Sequence, residues 1–162
     1  MGRTAKYIIL SILIAICEMT FAKYIAVGAA VPMLSFCFVI LGAMNEKNPE
    51  KALVFGLLVG LLSDTLSGRS FGTYTFVYAV TAVETALFCD SILSSRFLFL
   101  MINTFVMTVF AECVYFLFNI IHIGAGAFWS SLVNIILPTA LYNMIISAIF
   151  YKPISKVFYE RR

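Results

Sequence analysis

Four carboxylates lie in or at the edge of apolar runs: Glu18, Asp64, Glu84 and Glu112. An acid among apolar residues is costly to ionise. It is kept to handle a proton or cation, to pair with a base, or to accept hydrogen bonds. A proton or cation path needs several such groups in line, and these four show no repeated spacing. Asp64 differs from the rest because it belongs to a series at intervals of four: Gly56, Gly60, Asp64, Gly68 and Gly72. Gly56 and Gly60 share a helix face and let another backbone approach closely, either a helix of this chain or a partner helix. Asp64 falls near the end of that helix, where a negative charge opposes the helix dipole. It is therefore expected to accept hydrogen bonds from the backbone N–H groups of the turn Thr65 to Gly68. Gly68 supplies the unusual backbone angles there, and Ser70 caps a helix starting near Phe71. On this reading Asp64 organises a turn and is not a catalytic acid.

Other reactive side chains offer less. Cys17, Cys37, Cys89 and Cys113 form no Cys-x-x-Cys pair and read as buried thiols acting as small hydrophobes. The sole histidine, His122, reads as an interfacial loop residue, since one histidine makes no metal site. No metal, cofactor or catalytic group is expected. For the outer acids, Arg69 is expected to pair with Asp64 or Glu112, and Lys23 to snorkel beside Glu18. Glu84 has no evident basic partner and reads as protonated or bonded to a hydroxyl. Toward the C-terminus, Pro138 removes a backbone donor and crowds the carbonyl of Asn134, which predicts a kink. Asn134, Asn143 and nearby hydroxyls are candidates to satisfy the freed carbonyl.

The elements that must position these residues are membrane helices. Of 162 residues 62% are hydrophobic and 12% charged, and the mean hydropathy is +1.02. A water-soluble domain does not hide that much apolar surface. The net charge of +3 is modest and gives no nucleic-acid footprint. Six hydrophobic segments run over 7–26, 32–44, 51–64, 71–89, 97–121 and 128–151, in a single polytopic domain spanning 1–162. The second and third are short, at about 20 Å each, and need shielding by the longer ones. Arg3 and Lys6 precede the first run, which Glu18 interrupts, so it reads as an uncleaved membrane helix. With both termini cytoplasmic, Arg3, Lys6, Lys47, Lys51, Arg96, Lys152, Lys156, Arg161 and Arg162 lie inside, and only Lys23 and Arg69 outside. Pro49 opens the third segment. Tyr7, Tyr24, Trp129 and Tyr151 suit interfacial anchoring. The basic tail from Lys152 suits the anionic inner leaflet of the membrane lipids.

The stretch Phe55-Gly-x-x-x-Gly-Leu-Leu-x-Asp64-x-x-Ser-Gly68-x-x-x-Gly72, with Tyr78 in the next helix, resembles the rod shape-determining protein MreD family. Pro32 opening the second span agrees, as does Phe128-Trp-Ser-Ser-x-x-Asn134 followed by Pro138. The similarity covers nearly the whole chain, although Glu18, Glu84 and Glu112 are not part of the pattern. It implies an all-α integral membrane bundle of about six helices, similar to the substrate-binding S-components of energy-coupling-factor vitamin transporters. It also implies a non-enzymatic role in peptidoglycan synthesis during bacterial cell elongation, in the cytoplasmic membrane. The implied partner is an MreC-like single-span protein, with MreB, RodA and a class B penicillin-binding transpeptidase in the same assembly. The contact or corner residues would be Gly56, Gly60, Asp64, Gly68, Arg69 and Gly72, with Pro32, Trp129, Asn134 and Pro138 serving packing and the kink.

Two other functions fit parts of the pattern. An S-component-like subunit would bind a small solute in an outward cavity, to which Trp129, Asn103, Asn119 and Glu112 would contribute. A lipid-precursor site would use Arg69 to meet a phosphate, though a single arginine supports it only thinly.

Overall fold

The computed structural model describes residues 3–21, 24–26, 30–46, 48–67, 72–89 and 95–159, the side chains of 3–8, 122, 123, 125 and 155–159 excepted. Among the described residues the fold is all-helical, with six principal helices. They are α1 (Arg3–Phe21), α2 (Leu34–Ala43), α3 (Pro49–Ser67), α4 (Thr73–Phe88), α5 (Arg96–Phe118) and α8 (Leu137–Tyr159). Between α5 and α8 lie two single-turn helices, α6 (Ile120–Ile123) and α7 (Phe128–Ser131), with a 3-10 turn at Ala125–Ala127 and a π turn at Leu132–Ile136.

Arg96–Phe118 and Phe128–Ile154 are long and apolar enough to cross a membrane. The expected short second segment is present, since α2 has 10 residues, about 15 Å at the helical rise. The third segment is not short: α3 has 19 residues, Pro49 to Ser67. Ser63, Asp64, Thr65 and Ser67 read locally as turn formers, yet they continue the helix. α4 begins at Thr73, two residues later than expected. The final helix runs on through Lys152 and Pro153 to Tyr159, so the basic tail begins inside it. Lys23, Lys47, Gly68, Arg69, Ser70, Phe71, Arg161 and Arg162 lie outside the described residues, as do the side chains of Arg3, Lys6, Tyr7, His122 and Lys156.

α2 is the centre of the molecule. Residues Ser35 to Ala43 are all buried, and α2 touches α1, α3, α4, α5 and α8. A helix that is apolar all round belongs in such a place, because it has no face to give to water. Two hairpins, α3–α4 and α5–α8, make the closest pairings around it. Phe36 of α2 stacks on Tyr78 of α4 at 5.3 Å between ring centroids, and Phe38 meets Phe55 of α3 edge-on at 5.5 Å. The N-termini of α2 and α4 lie at one end, where Met33, Thr73, Tyr74, Val77, Ala111, Glu112 and Tyr115 line a narrow cleft.

Candidate functional site

The first three members of the series, Gly56, Gly60 and Asp64, form one face of α3 laid against α4. A Cβ added at Gly56 would stand 2.5 Å from Tyr78 O and 2.8 Å from Ala82 Cβ. At Gly60 it would stand 2.5 Å from Thr75 Cα and 2.9 Å from Tyr74 O. No real Cβ fits there, so glycine is what lets the two backbones touch. One turn further on, the same face carries Asp64, 2% exposed. Its carboxylate accepts from Gly72 N at 3.0 Å, Tyr74 N at 3.0 Å, Thr75 N at 3.0 Å and Thr75 Oγ1 at 2.5 Å.

Among the described residues, Asp64 therefore caps the next helix. Thr65 to Ser67, expected in a turn that it would organise, continue α3, and Gly68 lies outside the described residues. The first turn of α4 has no capping side chain of its own: its N-cap is Gly72, with no side-chain cap bond. The free N–H groups and the positive end of the α4 dipole both favour an anion there. The charge that opposes the dipole of α3 thus satisfies that of α4. Gly72 sits at φ 94 and ψ −16, in the left-handed region that other residues avoid. A Cβ there would meet nothing, so the requirement for glycine is conformational, not spatial.

The same device recurs at α2, where sequence reading missed it. The N-cap Met33 offers no capping side chain. Instead Glu18 of α1 accepts from Ser35 N at 2.8 Å, and Asn143 of α8 accepts through Oδ1 from Met33 N at 2.9 Å. Asn143 also donates to Thr108 Oγ1 of α5 at 3.4 Å. The available signal was a pair of helix starts, at positions 33 and 72, without Ser, Thr, Asp or Asn, in a chain holding otherwise unexplained acids within apolar runs. Glu84 has a different setting, between α4 and α5. With its amide nitrogen facing the acid, Asn103 donates to Glu84 Oε2 at 2.9 Å and accepts from Thr85 Oγ1 at 2.8 Å. That orientation gives each group a complementary partner.

The remaining predicted residues do not join this corner. Pro32 is buried just ahead of α2. Trp129 is 73% exposed and edges onto Phe128 at 5.9 Å. The strain of Pro138 is taken up as a π turn over Leu132–Ile136, which widens the helix ahead of the proline ring. Neither asparagine turns to the freed carbonyl. Asn134 donates to Ser130 O at 2.9 Å, and Asn143 is committed to Met33 and Thr108. The residues proposed for a solute cavity are dispersed. Asn103 is buried beside Thr85, Asn119 donates to Tyr115 O, Trp129 faces outward, and Glu112 lines the narrow cleft.

The corner is thus an assembly of helix ends built from acids and glycines, with hydrogen bonds as its chemistry. No curated protein and no solved structure matches the chain. The profile of one family, described as rod shape-determining protein MreD, matches residues 1–161. A match of that extent, over a chain with apolar helices long enough for a bilayer, places this protein in the MreD family of rod shape-determining membrane proteins.

Proposed function

We propose that this chain is a non-enzymatic scaffold of the cell-elongation machinery in the bacterial cytoplasmic membrane. It crosses the bilayer six times with both termini inside and binds an MreC-like single-span partner. Through that partner it joins MreB, RodA and a class B transpeptidase. The observation that carries the reading is the family match over residues 1–161. The S-component-like fold remains part of this proposal. The short α2 supports a compact bundle, since about 15 Å of helix does not span a bilayer by itself and needs its neighbours.

The capped corner has a specific part in this reading. Gly56 and Gly60 are filled by α4, so their service to a partner is indirect: they and Asp64 hold α3 against the start of α4, and this end of the hairpin meets the partner. Arg69, between α3 and α4 in the sequence, is the side chain suited to a polar contact. The test is co-purification with an MreC-like protein from mild detergent. Arg69→Ala is expected to weaken the complex while leaving thermal stability unchanged. Asp64→Asn is expected to weaken both. Full complex and normal cell width with Arg69→Ala and Asp64→Asn would remove the corner from the interface, and failure of the wild-type pair to co-purify would remove the scaffold reading. Reporter fusions at the two termini check the topology, and a periplasmic signal from either overturns it.

A further inference from the structure

From Cys113 to Tyr151 the chain has no Asp, Glu, Lys or Arg. This stretch contains the whole connection between α5 and α8. Each of the other four connections between principal helices carries a charge: Lys23, Glu46 and Lys47, Arg69, and Asp90. A loop that lives in water has no reason to avoid charge so completely, whereas one that lives in lipid does.

The geometry agrees with the composition. Ile121 is 90% exposed, Trp129 73%, Leu117 and Phe118 63% each, and Val133 59%. Ile102 and Val106 on α5 are likewise exposed. Several polar groups of the connection are paired locally. Asn119 N and Asn119 Nδ2 both donate to Tyr115 O, Gly124 N to Ile120 O at 2.8 Å, and Ala127 N to Gly124 O at 3.1 Å. Consecutive short helical turns replace an open loop, as lipid contact demands.

We infer that the segment 117–133 is a lipid-immersed cap, lying at the level of the upper acyl chains of its leaflet rather than in water. Its partner is the phospholipid itself. The absence of Asp, Glu, Lys and Arg from the stretch suits acyl chains and glycerol esters better than a protein surface that must be recognised. Trp129, amphipathic and exposed, marks the boundary.

The chain has one tryptophan, so the emission of the intact protein reports on this segment alone. The protein is reconstituted without partners into phosphatidylglycerol and phosphatidylethanolamine vesicles, with and without lipids brominated high on the acyl chains. The expected result is a several-fold larger loss of emission with brominated lipid than with aqueous iodide. Stronger quenching by iodide makes the segment a water-exposed loop and overturns the inference. Protection from both quenchers also overturns it, because protein then covers the face. Moving the probe, with Ile121→Trp in a Trp129→Phe background, is expected to give the same ordering. Iodide quenching at that second position would reduce the cap to a single anchoring side chain and refute it as a segment.

Discussion

Asp64 concentrates four hydrogen bonds on two oxygen atoms in a site that water does not reach. Bonds to a charged acceptor contribute more than neutral ones, and buried N–H groups left open carry the larger penalty. Asp64→Asn keeps the volume but turns an NH2 toward donors, so it is expected to cost about 2 kcal/mol. Asp64→Ala removes every acceptor and is expected to cost about 3 kcal/mol or more. Thermal unfolding in detergent is expected to rank wild type above Asn above Ala, and an Ala variant as stable as wild type contradicts the capping role. The two kinds of glycine separate in the same assay. Gly60→Ala drives a methyl into Thr75 and is expected to cost about 1–3 kcal/mol as overpacking. At Gly72 the space is open and only the angle matters, so Asn, which tolerates positive φ, is expected to be milder than Val.

At the scale of the helix, the sequence announces the apolar elements but not who completes them. Helices α1, α2, α4, α5 and the final one each overlap an apolar segment, but their ends depart from hydropathy: α1 stops at Phe21 and the final helix runs on to Tyr159. α3 was read one turn short because Ser63, Asp64, Thr65 and Ser67 have the local chemistry of a turn, and only contact with α4 keeps them helical. The donors for Asp64 and Glu18 were illegible for a related reason. A cap supplied from another helix leaves no local spacing, and Asn143 lies 110 residues from the N–H it accepts. Amide exchange checks this pairing. Glu18→Gln is expected to speed exchange at Ser35, and Asn143→Leu at Met33, each roughly tenfold if about 1.4 kcal/mol of local stability is lost. No change would show that α2 holds its own first turn. Pro138 offers a second test of an element. If the proline causes the π turn, Pro138→Ala is expected to restore a regular helix and rotate the preceding residues by about 100°. Trp129 lies on the rotated part, so its emission is expected to shift.

Across the molecule, two principal helices that start without a local side-chain cap, α2 and α4, are served by residues brought from elsewhere. α1 and α8 complete α2, and α3 completes α4. Family membership was legible from the glycine and aspartate pattern together with the proline and Trp-Ser-Ser positions; of these, Gly56, Gly60 and Asp64 occupy backbone contacts that few alternatives satisfy. The charge-free cap was less so, since its meaning depends on which apolar side chains face out. The dependence of α2 on α8 has a consequence for how the protein is made. Synthesis delivers α2 early and Asn143 only near the end of the chain. Until the last helix arrives, the Met33 N–H lacks its acceptor and the short central helix is incompletely enclosed. A chain interrupted before Asn143 therefore leaves Met33 N–H without this acceptor and is expected to be removed faster. The finished bundle is in this sense proofread by its final helix, and truncation from the C-terminal end is expected to shorten the protein's lifetime in the cell before it affects any partner.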